Sequence, residues 1–334
     1  MEWLTQLFGW IAEHESVLSG IAAAIVIVGV IAALSSRTLG LFRTGTKETR
    51  DEEQQSTERT IQQQIRYCQL DNGHKVAWAT AGSGYPLVRS LGWFTDLELE
   101  WNSKLAPFWH ELASAYQLIR YDGRGMGLSD RDVDEFSPAT RLEDLEAVIE
   151  ASGVEKFALM GLSEGGSTAI KYAYKYPERV SHLIIYGSFL VAPSVADVPQ
   201  FAAIARLIPK FWGSDSAAFH QMFTATFMPD GNAEENKLFN EIQRTSATPE
   251  TAFEFLKSFG DIDVRDIAGD IQVPTLVLHR KGDLAIPVRF GQDVAVQLPN
   301  ARIELLEGGN HLLAALDRED RKHITTLIHD FISA

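Results

Sequence analysis

From about residue 65 onward, short apolar runs alternate with longer stretches that carry a helical pattern. Runs rich in β-branched and aromatic residues fall at 65–70, 75–80, 86–90, 117–121, 156–160, 182–186, 275–279 and 302–306. Each has the length and composition of a strand. Asp71-Asn72-Gly73 separates the first two and predicts an antiparallel hairpin. The later runs are separated by helix-length segments, so crossover connections and a mostly parallel sheet are expected. The fold class predicted is α/β, with eight strands and no internal repeat.

One interval breaks the alternation. Residues 189–270 contain no good strand. Thr248-Pro249-Glu250 reads as a helix start, with a capping hydroxyl, a proline at the first position and an acid in the first turn. Residues 200–212 and 216–227 are further helical candidates. A structureless loop of that length is uncommon in a compact domain. A helical cap inserted over the sheet is therefore expected, at about 189–270. Its Phe211, Trp212, Phe219, Met222, Phe223 and Phe227 read as the packing core of that cap. Those that face the cleft would favour an apolar acyl or alcohol group.

The amino-terminal part has a different pattern. Residues 17–34 form an uncharged apolar run. At 1.5 Å of helical rise per residue, such a run just spans a hydrocarbon layer of roughly 30 Å. Residues 1–16 hold Glu2, Glu13 and Glu15 but no Lys or Arg, which argues against a cleaved signal peptide. The expectation is one uncleaved N-terminal transmembrane helix. Trp3 and Trp10, within an amphipathic segment at 1–16, would suit the headgroup layer. Arg37, Arg43, Lys47 and Arg50 all follow the span, so the bulk of the chain is expected in the cytoplasm, against the inner membrane. A polar linker at 35–64 would tether the globular domain at 65–334.

Composition excludes some classes. The formal net charge of −15 over 334 residues disfavours nucleic acid as a partner, because phosphates need a basic face. The lone Cys68 allows neither an internal disulfide nor a thiolate metal cluster. His323 and His329 lack H-E-x-x-H spacing. No metal and no cofactor are expected.

The chemistry concentrates at Gly161-Leu162-Ser163-Glu164-Gly165-Gly166. An apolar run precedes it, and a helical pattern stopped by Pro177 follows. Strand, G-x-S-x-G and helix is the context of a nucleophile elbow, in which a sharp turn exposes the serine hydroxyl. A glycine-rich helix start with a capping serine would give the same pentapeptide. Two further residues favour the elbow. Asp283 lies just beyond the seventh run, and His311, in Gly308-Gly309-Asn310-His311, lies just beyond the eighth. Asp283 or His311 could each cap a helix instead. Ser163, Asp283 and His311 together fall at strand ends in the Ser…Asp…His order of this architecture. Serine needs a base, and the base an orienting acid. The oxyanion would be met by two backbone amides, that of Glu164 and that of Trp93 in Leu91-Gly92-Trp93. The glycines of Tyr121-Asp122-Gly123-Arg124-Gly125-Met126-Gly127 lack phosphate-loop spacing and read as a structural loop, with Arg124 salt-bridged locally.

On these residues the globular part resembles the α/β-hydrolase superfamily. Leu91-Gly92-Trp93 with Leu97-Glu98 and Trp101, Tyr121 to Asp130, the serine motif, Asp263-Val264-Arg265-Asp266-Ile267 and Pro274 to Asp283 look like one bacterial branch of it. In that branch the hydrolase module is often joined to a nucleotide cyclase or a winged-helix regulator, for which this chain leaves no room. Many superfamily members have His-Gly where Leu91-Gly92 stands. The backbone donor survives that change, while side-chain support of the oxyanion loop is altered. The resemblance implies a serine hydrolase of esterase type with an acyl-enzyme, acting on a small, apolar ester or acyl substrate. The same triad serves esters, lactones, thioesters, amides and carbon–carbon bonds. A reading from another class is a catalytically weak ligand-sensing or scaffolding module, motivated by the branch's signalling partners.

Overall fold

The computed structural model describes residues 61–133, 135–194, 196–212, 214, 217–313 and 316–334. The expected amphipathic segment, membrane anchor and nearly all of the polar linker lie outside the described residues. Among those described, no helix is long and apolar enough to cross a membrane.

Eight strands form one sheet in the order β1-β2-β4-β3-β5-β6-β7-β8. They are β1 (Gln64–Gln69), β2 (Lys75–Ala81), β3 (Tyr85–Ser90), β4 (Tyr116–Tyr121), β5 (Phe157–Leu162), β6 (Val180–Tyr186), β7 (Thr275–Arg280) and β8 (Ala301–Leu306). All eight lie within two residues of the expected runs. β1 and β2 make the expected hairpin, β2 pairs antiparallel with β4, and every later pairing is parallel. β5 is buried along nearly its whole length because helices cover both faces of a central parallel strand. The edge strands β1 and β8 mix exposed and covered positions.

Between β3 and β4 run α1 (Leu97–Trp101) and α2 (Pro107–Ala115). α3 (Pro138–Ser152) precedes β5, and α4 (Glu164–Lys175) follows it. α3 begins at a Ser137 capping box with Pro138 in its first turn, and ends at Gly153, whose φ of 70° suits glycine. The cap carries α5 (Pro199–Ala205), α6 (Ile208–Phe211), α7 (Ala217–Phe227), α8 (Ala233–Ser246) and α9 (Pro249–Lys257), then a 3₁₀ turn at Ser258–Asp261. α10 (Arg265–Ala268) leads back to the sheet, α11 (Val288–Gln297) joins β7 to β8, and α12 (Arg318–Ile332) closes the chain. Leu145, Ile149, Ile170 and Val294 from α3, α4 and α11 fill one side of the sheet. Trp109 and Leu112 of α2 and Ile324 and Ile328 of α12 fill the other.

The cap departs and returns through a narrow neck. Val191 pairs with Asp263 in an isolated antiparallel bridge, Val264 donates to the Leu190 carbonyl and Ala192 to that of Ile262. Thr248 caps α9 as expected. The helix expected over 200–212 is divided into α5 and α6, because Pro209 has no N–H to continue a helix from the preceding turn. α8 was not foreseen. Its Asn232 and Glu235 form a capping box, but its sequence is mostly polar and only Phe239, Ile242, Gln243 and Ser246 are buried. The folded body also begins slightly before residue 65. Ile61 packs on the core, and Gln63 donates to the Leu97 carbonyl (2.8 Å) and accepts from Arg120 (2.7 Å).

Candidate active site

Ser163 sits where β5 turns into α4. Its φ of 51° and ψ of −128° make it the one non-glycine residue of positive φ among the described residues. A side chain held there costs on the order of 1–3 kcal/mol and persists only where the surroundings dictate it. The surroundings do so by close packing. A Cβ on Gly165 would run into the Leu91 carbonyl, so the start of α4 can lie against the loop after β3 only with glycine there. The Ser163 amide is fixed to the Tyr186 carbonyl at 2.9 Å. The serine thus stands at the carboxyl edge of the sheet. Ligand sites of open α/β sheets gather at that edge.

β7 and β8 bring Asp283 and His311 to the same edge. Asp283 Oδ2 lies 2.6 Å from His311 Nδ1, and Asp283 Oδ1 accepts the amides of Ala285 (2.9 Å) and Ile286 (2.8 Å). Asp283 faces the histidine and tightens the turn before α11, but it does not cap that helix, whose N-cap is Pro287 without a side-chain bond. His311 caps no helix, since α12 is capped by Asp317. In the neutral tautomer that donates from Nδ1 to Asp283, His311 carries its lone pair on Nε2. His311 Nε2 is buried, with no hydrogen-bond partner among the described residues, and His311 and Ser163 line one cavity. A serine–histidine contact need not be made until substrate is bound. Beside the pair, His279 donates from Nε2 to the Ile286 carbonyl at 2.8 Å. Burial pushes its pKa down, so a second positive charge next to His311 is disfavoured.

The cap holds the histidine loop in place. The His311 amide donates to the Phe227 carbonyl at the end of α7 (2.8 Å), Gly309 donates to Asp230 (2.7 Å) and Tyr186 to the Asn310 carbonyl (2.9 Å). Of the six cap residues picked out in the sequence, Phe227 lines a cavity, and its ring lies 5.7 Å from that of His311. Trp212, Phe219 and Phe223 are buried among one another, while Met222 is exposed.

Of the two residues whose amides are expected at the oxyanion, Glu164 follows the serine in the chain and Trp93 lines the same cavities as Ser163. Glu164 opens α4, where the first N–H groups have no partner within the helix. Trp93 follows β3 and lines both of the cavities that Ser163 lines. Its indole donates to Gln243 of α8 at 3.1 Å, and its ring lies 4.7 Å from those of Phe94 and Phe227. Gly92 lets this loop approach the Leu162 carbonyl.

Two clusters of charged groups near the site escaped the sequence reading. The Glu164 side chain is buried and its oxygens make no hydrogen bond among the described residues; the closest cation is Arg141 Nε at 3.5 Å. Burial raises its pKa to about 7, against the opposing pull of Arg141 and Lys171. Arg141 in turn donates to the Phe255 carbonyl (3.2 Å) and to Ser258 in the cap, and stacks on the Phe255 ring at 4.6 Å. Under the Trp93 loop, Glu100 accepts from Arg89 (2.7 Å) and Arg120 (2.5 Å), all three buried. Burial works to raise the Glu100 pKa, but the two guanidiniums outweigh it and hold it below the usual carboxylate value.

The loop after β4 is structural, as expected. Arg124 pairs with Asp144 (2.8 Å) and Glu143 (2.9 Å). Asp122 accepts the Thr95 hydroxyl and the amides of Leu97 and Leu128, which ties this loop to that after β3. Among the described residues, no group of three His, Cys, Asp or Glu side chains is placed to hold a metal ion.

The sequence matches the profile of the alpha/beta hydrolase fold over residues 92–316, about two thirds of the chain. The chain belongs to the α/β hydrolase family. RutD of Azorhizobium caulinodans, which carries the name of a carbamate hydrolase, is 27% identical over 255 residues, 70% of this chain and 87% of that one. The pimeloyl-[acyl-carrier protein] methyl ester esterase of Aliivibrio salmonicida is 25% identical over 253 residues, again 70% of this chain and 88% of the relative. In the fold, this α/β hydrolase is similar to an esterase from Exiguobacterium antarcticum, with a TM-score of 0.69 and 22% identity. That match covers 81% of this chain and all of the other. The relatives are hydrolases, and hydrolase is the activity class of this family member.

Proposed function

We propose that this α/β hydrolase is a serine hydrolase of carboxylesterase type, anchored to the inner membrane by residues 17–34 with its hydrolase domain in the cytoplasm. The observation that carries the catalytic part is the 2.6 Å contact of His311 with Asp283, beside a strained Ser163 in a shared cavity. Ser163 Oγ attacks the carbonyl carbon while His311 Nε2 takes its proton. The Trp93 and Glu164 amides face the oxyanion, and Asp283 stabilises the imidazolium. The intermediate collapses: the bond to the alkoxy oxygen breaks, and His311 returns the proton to form the alcohol. Water then attacks the acyl-enzyme and gives a proton to His311. The Ser163–acyl bond breaks, the serine recovers its proton and the acid leaves. An apolar acyl group suits the cavity formed by Ala192, Val198, Phe227, Phe259 and Ile286.

Full-length chain and Ser163→Ala are compared for acid release from methyl octanoate. The variant is expected to lose at least ~10³-fold in kcat with an unchanged circular dichroism spectrum. Undiminished turnover in the variant would remove Ser163 from the chemistry. Ligand binding without turnover in either protein would favour a sensing module.

A further inference from the structure

Ser163 and Trp93 both line two chambers of very different size. One, of about 60 Å³, is lined by His311, Leu313, Ile242, Phe239, Leu105 and Trp109, with the Arg89–Glu100 pair also in its wall. The other, of about 460 Å³, is lined by Ala192, Val198, Phe227, Leu256, Phe259 and Ile286. His311 lines the first and not the second.

That asymmetry has a chemical consequence. The imidazole that takes the serine proton must deliver it to the departing oxygen, which therefore lies within hydrogen-bond reach of Nε2. The leaving group must occupy the chamber that His311 lines. The acyl group, on the other side of the carbonyl carbon, must extend into the chamber that His311 does not line. Size then sets the substrate. An apolar cavity of ~150 Å³ takes a benzene ring, or roughly 25 Å³ per carbon. On that scale the small chamber holds about two or three non-hydrogen atoms, and the large one about eighteen.

Resting on the carboxylesterase reading, we infer that the substrate is an ester of a small alcohol, methyl to propyl, with a long apolar acid. Leu313 and Ile242 are the residues that set the limit on the alcohol. Both are buried, and Ile242 comes from α8 of the cap, so the cap closes the alcohol side of the site.

Two ester series on the full-length chain test this. Octanoates of methanol, ethanol, butanol and hexanol vary the alcohol; methyl esters from acetate to decanoate vary the acid. Hydrolysis is followed by acid release at constant pH. Expected is a kcat/KM at least ~10-fold higher for methyl than for hexyl octanoate, and at least ~10-fold higher for methyl octanoate than for methyl acetate. Leu313→Ala removes three side-chain carbons from the small chamber. It should narrow the gap between butyl and methyl octanoate, and Ile242→Ala should do the same from the cap side. Equal acceptance of hexyl and methyl octanoate, or a preference for methyl acetate, would overturn the assignment while leaving a serine esterase intact. A chain that cleaves no ester in either series and takes no fluorophosphonate on Ser163 would fail the carboxylesterase reading itself.

Discussion

Glu164 puts a carboxylate one residue from the proposed nucleophile, and its backbone amide is one of the two proposed for the oxyanion. Burial holds its pKa at about 7, above the ordinary 4.5. A carboxyl that binds its proton more tightly in the folded state favours folding at low pH. That contribution is fully present below 4.5 and is lost as the pH rises through about 7. Thermal melts of wild type and Glu164→Gln from pH 4.5 to 8 should show the wild-type Tm declining relative to the variant across that window. Parallel curves would mean that the carboxyl does not titrate there. The sequence marks Ser163, Asp283 and His311 because each is tied to a strand end and to a motif. It does not mark the Glu164 carboxyl, whose nearest cation, Arg141, is supplied by a helix earlier in the chain. Nothing in local spacing encodes that pairing.

At the scale of elements, α1 is held under the oxyanion loop by one buried acid. Glu100 reaches Arg89 at the end of β3 and Arg120 on β4. Removing it takes from two buried guanidiniums the carboxylate that both are bonded to. Such a loss costs about 3–5 kcal/mol. Glu100→Gln should lower Tm by roughly 6 °C or more, on the scale of a few degrees per kcal/mol for a domain of this size. An unchanged Tm would show that the pair is dispensable. The strands were legible because buried parallel strands are apolar along most of their length, and β5 has no polar position at all. The cap was legible only as an interval without strands. α8 rests on four buried side chains and a capping box, too sparse an apolar face to declare a helix. The Trp93–Gln243 bond that ties this helix to the site joins residues 150 positions apart, beyond any reading of local pattern.

At the scale of the molecule, a family hydrolase with a closed neck at Val191–Asp263 follows an uncharged run at 17–34. An anchored enzyme would meet apolar substrate near the bilayer, which agrees with the larger chamber beside Ser163. Arg50→Cys in a Cys68→Ser background should react with an impermeant maleimide only after the cells are permeabilised. Labelling from outside intact cells would reverse the proposed orientation, and release of the chain by an alkaline wash would remove the anchor. Whichever holds, the proposed chemistry depends on Ser163. The most direct measurement is mass spectrometry of the full-length chain after a fluorophosphonate probe. An adduct is expected on Ser163 and absent in Ser163→Ala. Persistent labelling of the variant at the same rate, or none in folded wild type, would contradict a serine nucleophile at this elbow.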